Sequence, residues 1–264
     1  MAALHLSLLG GFRARLASGP DVDIPSRKAQ ALLAYLSAHP GRRILRDSLA
    51  CLLWGGATNG QARHSLRQVL FTLRRSLPST SSVLRTDGDA ITLAPGTVAV
   101  DVCTFQRLAA EATPETLAEA AALYEGDFLE GFGVDETSFE EWLCAERARL
   151  HELALEVFAR LLAHQAKSEA LEPAIQTALR LLALDPLQEV THRALMRLFV
   201  RQNRRAAALR QYRLCVDLLQ RELGAEPEPA TQRLYQEILL VPREETRSER
   251  GAPKAEDPRA PSVR

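Results

Sequence analysis

The feature that most restricts how this chain can fold is an apolar pattern that repeats itself. Ile175, Ala178, Leu179 and Leu182 stand at i, i+3, i+4 and i+7, and the same spacing returns 37 residues later as Tyr212, Cys215, Val216 and Leu219. Ala194, Leu195 and Leu198 return 40 residues later as Leu234, Tyr235 and Ile238. The extra three residues fit the loop GAEPEP, residues 224–229. A helix advances about 100° per residue, so each set forms one apolar stripe. Two helix pairs with one small insertion are expected, each needing a neighbour to cover its stripe.

A period in the high thirties, with a proline after the first helix of each pair, resembles tetratricopeptide stacking, in which helix pairs share a continuous core. An unrelated helical bundle satisfies the same periodicity. Composition leans toward helix as well. Of 264 residues 46% are hydrophobic, enough for a packed core, but only 5% are aromatic, and alanine and leucine dominate over β-branched residues. Residues 101–241 are therefore expected to form an almost wholly helical domain. Residues 242–264 carry no apolar pattern and are expected to be a disordered tail.

The first hundred residues read differently. LHLSLLGGFRARL and DVDIP alternate, with Gly10-Gly11 and Gly19-Pro20 as breaks, which predicts short strands. A first helix is expected over residues 26 to about 39, with Ala29, Leu32, Leu33 and Leu36 inward and Pro40-Gly41 ending it. A second runs from about 46 to 54, with Leu49, Leu52 and Leu53 inward and Gly55-Gly56 as its stop. The third, residues 61–77, reads QARHSLRQVLFTLRRSL; Thr58 and Gln61 have capping-box spacing and Pro78 ends it. VLRTDGDAITL then places Asp87-Gly88 between two β-prone runs, a hairpin signal. Strands, three helices and a hairpin in that order predict a winged helix-turn-helix over residues 1–100. The expected fold class is mainly α: a winged helix-turn-helix domain with a small β-sheet and wing, followed by a tetratricopeptide-like helical domain.

Formal net charge is zero, and the zero conceals a split. Residues 1–100 hold 12 basic and 5 acidic side chains, a balance of +7, whereas residues 101–241 hold 15 and 23, a balance of −8; the tail contributes +1. A basic domain attracts phosphates that its acidic neighbour repels. In the third helix, Ala62, Leu66, Val69, Leu70, Leu73 and Leu77 share one side, and Gln61, His64, Gln68, Thr72 and Arg75 the other. Arg67 and Phe71 lie at the edge of that polar side, while Arg63 and Arg74 flank the seam. Arginine can grip guanine, glutamine can pair with adenine, and flanking arginines can hold phosphates. Any amphipathic helix has a polar side, so the pattern alone also fits a solvated surface. Context favours the groove: residues 61–77 hold four arginines and no acid, Arg42 and Arg43 precede the second helix, and Arg85 lies just before the hairpin tip. Gln61 is claimed both by this face and by the helix cap.

Other chemistries lack their residues. Six histidines are scattered without metal-ligand spacing, so no metal or other cofactor is expected. Cys51, Cys103, Cys144 and Cys215 form no C-x-x-C pair and are expected to be reduced core thiols. Neither G-x-x-x-x-G-K-[ST] nor G-x-S-x-G occurs, and the acidic residues 125–146 suggest no catalytic pair, so no enzyme is expected. Glu140-Glu141 read as the exposed side of a long helix, with Phe139 and Trp142 as core or interdomain packing. There is no apolar run of roughly 18 residues and no basic leader at the start, which predicts a cytoplasmic protein.

The stretches SRKAQALLAYLSAHPGR, RDSLACLLWG, ARHSLRQVLFTLRRSL and VDVCTFQRL in the first half resemble the SARP type of bacterial transcriptional regulator. So do LYEGDFLEGF, FEEWLCAERARLHELAL, ALRLLALDPLQEVTHRALMRLF and ALRQYRLCVDLLQRELGAEPEPATQRLYQEIL in the second. That type joins an OmpR-like winged helix to a bacterial transcriptional activator domain, and the resemblance runs in order from about residue 4 to 239. It implies sequence-specific binding of double-stranded DNA by the third helix, often by two protomers on direct repeats, and activation through RNA polymerase. The implied groove-reading positions are His64, Arg67, Gln68, Thr72 and Arg75, with Arg63 and Arg74 beside them and Arg85 as the wing contact. The loop GGATNG, residues 55–60, corresponds to a polymerase-contacting segment but lacks the acidic residue often found after Trp-Gly. Leu45 stands where the family usually has a helix-capping serine. A helical-repeat adaptor or sensor whose winged helix binds no DNA remains the other reading.

Overall fold

The computed structural model describes residues 4–77, 83–167 and 171–240. Pro78 and the tail 242–264 lie outside the described residues. In chain order the first half contains β1 (Leu4–Ser7), β2 (Arg13–Leu16), α1 (Arg27–Ser37), β3 (Ile44–Leu45), α2 (Arg46–Leu53), α3 (Asn59–Ser76), β4 (Leu84–Asp87), β5 (Ala90–Leu93) and β6 (Val98–Val100). The second half contains α4 (Asp101–Glu111), α5 (Pro114–Leu123), α6 (Thr137–Gln165), α7 (Leu171–Leu184), α8 (Glu189–Arg201), α9 (Arg205–Leu223) and α10 (Pro229–Leu240). The architecture is mainly α, with a winged helix-turn-helix followed by a stack of helices.

Two three-stranded sheets flank the first three helices. One has the order β2-β1-β6: β1 pairs antiparallel with β2, and β6 returns to pair parallel with β1, Leu4 opposite Val98. The other, β3-β5-β4, is the wing. Its register sets Asp87 opposite Ala90, so Gly88-Asp89 form a two-residue turn, and Gly88 supplies the φ of +56° there. Between the sheets Leu32, Leu33 and Leu36 of α1, Leu49 and Leu53 of α2, and Leu66, Leu70 and Leu73 of α3 are buried on one another. Leu52 is only half-buried, because an eight-residue helix on the domain surface turns just two rows inward.

The halves are joined by backbone as well as side chains. The Asp101 carboxylate, at the start of α4, accepts from the Leu8 and Leu9 N–H groups at 2.7 and 2.9 Å and from its neighbour Val102 at 2.7 Å. Burial pushes that carboxyl's pKa up, and the three N–H donors pull against the shift. Leu9 bridges to Phe128 in antiparallel fashion, Gly10 donates to the Asp127 carbonyl at 2.9 Å, and Leu129 donates to Leu8 at 2.8 Å. Trp142 packs against Tyr35 of α1 and against Phe128 and Phe139, with ring centroids 4.8, 5.8 and 5.2 Å away. Lys28 of α1 reaches both the Leu53 carbonyl and Glu136, and lies over the Trp54 ring.

In the helical half, sequence neighbours from α4 to α10 pack against each other, as the repeat requires. The stripe on α7 differs from the expected one: Ala174, Ile175, Thr177, Ala178 and Leu181 are buried, and Leu179 is 43% exposed. α7 is covered by α6 on one side and α8 on the other, so its inward face centres on the small Ala174 and Ala178, which turns Leu179 outward. Tyr212 and Tyr235, read as equivalents of core residues, are half-buried and stack on each other at 4.0 Å. The cysteine expectation is also corrected: Cys215 is buried, Cys103 intermediate, and Cys51 and Cys144 are exposed on the outer faces of α2 and α6. Glu141 is exposed as expected, whereas Glu140 turns back to accept the Val134 N–H at 2.7 Å at the start of α6. No helix among the described residues is long and apolar enough to cross a membrane.

Candidate nucleic-acid interface

The third helix is held so firmly that its outer face has a fixed orientation. Leu66, Leu70 and Leu73 are at most 1% exposed. At its start the Gln61 side chain accepts from the Thr58 N–H at 3.2 Å and from the Thr58 hydroxyl at 2.9 Å. Gln61 is thereby occupied by the cap and is not a free reader.

Outward, His64, Arg67, Gln68, Phe71 and Arg75 are exposed and Thr72 is half-exposed. Gln68 Nε2, an amide donor, lies 2.9 Å from His64 Nε2. The Gln68 carbonyl oxygen and one amide hydrogen stay open, as bidentate pairing with adenine requires. Thr72 turns its hydroxyl back to the Gln68 backbone carbonyl at 3.1 Å. The Arg75 guanidinium lies 5.7 Å from the Phe71 ring centroid. Among the described residues the Arg67 and Arg85 side chains make no hydrogen bond or ion pair. His64, Arg67, Gln68, Phe71 and Thr72 together line an open depression of 550 Å³.

The flanking arginines behave otherwise. Arg63 turns away to α2, where its Nε and Nη2 hold Asp47 at 2.6 and 2.5 Å. That hydrogen bonding lowers the Asp47 pKa and raises that of Arg63. Asp47 sits in the first turn of α2, whose N-cap Leu45 makes no side-chain cap bond, so the pair offsets a missing cap and ties α2 to α3. Arg74 donates to the Thr86 hydroxyl at 2.6 Å, fixing the wing against α3. Strand alternation sends Arg85 to the opposite face of the ribbon from Thr86. Arg43 pairs with Asp87 at 2.9 Å.

One basic residue escaped the sequence reading. Arg46 joins Arg63, Leu66, Arg67 and Asp89 around a 240 Å³ depression between α3 and the wing. The available signal was its place at the first position of α2, where a cation opposes the helix dipole and so is favoured by something other than the helix. The loop at residues 55–60 is anchored from the other half: Glu136 accepts the Gly55 N–H at 3.1 Å.

Several known proteins are similar to this chain in sequence or in fold. The family described as the bacterial transcriptional activator domain matches residues 100–239. The regulatory protein AfsR of Streptomyces coelicolor is 30% identical over 249 residues, covering 90% of this chain and 24% of that protein. AfsR of Streptomyces griseus is 29% identical over 258 residues, 92% of this chain and 25% of its own length. The chain therefore spans about a quarter of these relatives. The transcriptional regulatory protein MoaR1 of Mycobacterium tuberculosis is 24% identical over 254 residues, 90% of this chain and 79% of that protein. Among solved structures, Mycobacterium tuberculosis EmbR in complex with a low affinity phosphopeptide shares the fold, with a TM-score of 0.67 at 23% identity over 90% of this chain and 65% of that one.

Proposed function

For a chain that belongs to the bacterial transcriptional activator domain family, we propose a sequence-specific DNA-binding regulator that reads promoter DNA with α3 and activates transcription. The family is one of transcriptional regulators, not of enzymes. In this reading residues 1–100 bind double-stranded DNA and residues 101–241 support contacts with RNA polymerase or a second protomer on a direct repeat, and the protein works in the cytoplasm. His64, Arg67, Gln68, Thr72 and Arg75 face the major groove. Arg74 grips phosphate while bracing the wing, and Arg85 meets the backbone beside the groove. Arg63 reaches phosphate only by leaving Asp47.

The observation that carries the proposal is a leucine-locked helix whose outer face holds exposed Arg67 and Arg75 beside an open Gln68 amide, with no acid on the helix. A rigid, unneutralised cationic face with base-pairing groups matches a polyanion whose edges carry donors and acceptors. Selection from a random-sequence duplex library, followed by titration at rising salt, tests it. One enriched motif is expected, and with about four phosphate contacts its affinity falls roughly a hundredfold from about 50 to 200 mM salt. Binding to no duplex, with a salt-insensitive protein partner recovered instead, would identify an adaptor and overturn the reading.

A further inference from the structure

Among the described residues of α3, Phe71 alone is both large and apolar and turned to solvent, 61% exposed. Single exposed apolar side chains are common on protein surfaces. This one, however, lies on the face that carries the base-pairing groups. It lines the same depression as His64, Arg67, Gln68 and Thr72, and Arg75 is seated over its ring at 5.7 Å. Gln68 and Phe71 stand at i and i+3, so they project side by side.

Resting on the DNA-reading role of α3, we propose that Phe71 is a specificity-determining residue that contacts the C5-methyl group of a thymine in the major groove. The chemistry selects this occupant. In the major groove every base-edge position except the thymine methyl is a hydrogen-bond donor or acceptor or bare C–H, so an aromatic ring finds one apolar partner there. The arginines of α3, on a helix that carries no acid, disfavour a cationic partner and favour an anionic duplex whose apolar surface comes in isolated methyl groups. RNA fits poorly, since its A-form major groove is deep and narrow and uracil lacks the methyl. The Arg75 guanidinium over the ring holds it in place, which keeps the ring from collapsing onto its own helix. The adjacent Gln68 amide matches adenine, so the two side chains together favour A·T pairs at neighbouring steps.

Deoxyuridine scanning tests the contact on the full chain. The duplex enriched from the random library is remade with each thymine in turn replaced by deoxyuridine, which removes one methyl and leaves the pairing edge intact. Wild type is expected to lose about fourfold in affinity at one thymine, the worth of a single buried methyl group. Phe71→Ala is expected to bind the parent duplex more weakly and to lose nothing further at that position, with an unchanged melting temperature because the ring is exposed. If deoxyuridine at every position affects wild type and Phe71→Ala alike, the methyl contact is wrong while the reading helix stands. If no duplex is enriched at all, both fall together.

Discussion

The outer face of α3 and the packed interior of the last three helices both concentrate polar side chains, and they use them in opposite ways. At the α8–α10 junction Glu189, Arg193 and Glu228 are bound to one another's groups within the fold. Glu189 accepts from the Glu228 N–H at 2.9 Å and from the Thr231 hydroxyl at 2.6 Å, while Arg193 donates to Glu228 at 2.6 Å and to Thr231 at 2.8 Å. Between them His192 is 1% exposed, receiving the Gln211 amide at Nδ1 and donating from Nε2 to the Pro186 carbonyl. On α3 the reverse holds, because Arg67 has no protein partner among the described residues and the Gln68 amide is half open. Polar groups satisfied internally fix a shape, and polar groups held rigidly without partners are available to a ligand. This contrast, more than net charge, separates a structural network from a reading surface.

The sharpest way to break the contrast is to exchange the expected consequences. Glu189→Ala leaves the Glu228 N–H and the Thr231 hydroxyl without their carboxylate acceptor while Arg193 keeps Glu228. The loss of these charge-assisted hydrogen bonds is expected to lower unfolding stability by about 3 kcal/mol. Denaturant unfolding measures this, and DNA discrimination by the folded fraction is expected to be unchanged. A shift below about 0.5 kcal/mol would show that the network is not structural.

Next in size is the double replacement Arg67→Ala with Arg75→Ala. Neither side chain joins the leucine seam, so the melting temperature is expected to hold. The ratio of specific to non-specific binding is expected to fall about a hundredfold, since each good base contact contributes roughly 1–3 kcal/mol of discrimination. If the double variant selects the same motif from a random library, the reading face lies elsewhere.

The sequence made one of these regions more legible than the other, for a physical reason. Helical period and turn residues are local, so α1, α3 and the hairpin at Gly88 could be read from spacing alone, as could the leucine side of α3. Partners distant in sequence leave no local trace. Nothing in the run Val98–Val100 shows that it pairs with β1 ninety-odd residues earlier. Nor does the sequence show that Glu136 is bound by Lys28 and Gly55, or that Asp47 occupies Arg63. Counting arginines on α3 gave the sign of its face, but pairing determined which of them remain open. The same limit misplaced Leu179 and the exposed cysteines, whose faces depend on which neighbouring helices cover them.

Acid should separate the two regions without any mutation. Burial lowers the His192 pKa below the ordinary histidine value of about 6.5, outweighing its hydrogen bonds and the nearby Glu189 and Asp185 carboxylates. The unfolded chain then takes up a proton that the folded chain refuses. Stability is thus full above about 6.5 and declines as pH falls toward the lower folded value. Unfolding followed from pH 8 to 5 is expected to show this decline, and His192→Gln, which keeps a hydrogen-bonding side chain without the titration, is expected to flatten it. A decline of equal size in the variant would assign the effect to other groups.

The smallest expected effect addresses the boundary between the two uses of charge, because Arg63 belongs to α3 by position and to the internal network by pairing. Asp47→Asn removes the charge that holds it, leaving both residues well exposed and the leucine seam intact, so the melting temperature is expected to drop only slightly. Freed from Asp47, the guanidinium can swing to a phosphate. Affinity for all duplexes is then expected to rise together, and the salt dependence to steepen by about one phosphate's worth, a slope change near 0.9 in log–log terms. Base preference should not move, because Arg63 flanks the groove-facing row. If the slope stays constant, Arg63 is too far from the DNA to reach it even when released, and the pair with Asp47 serves only to fasten α2 against α3.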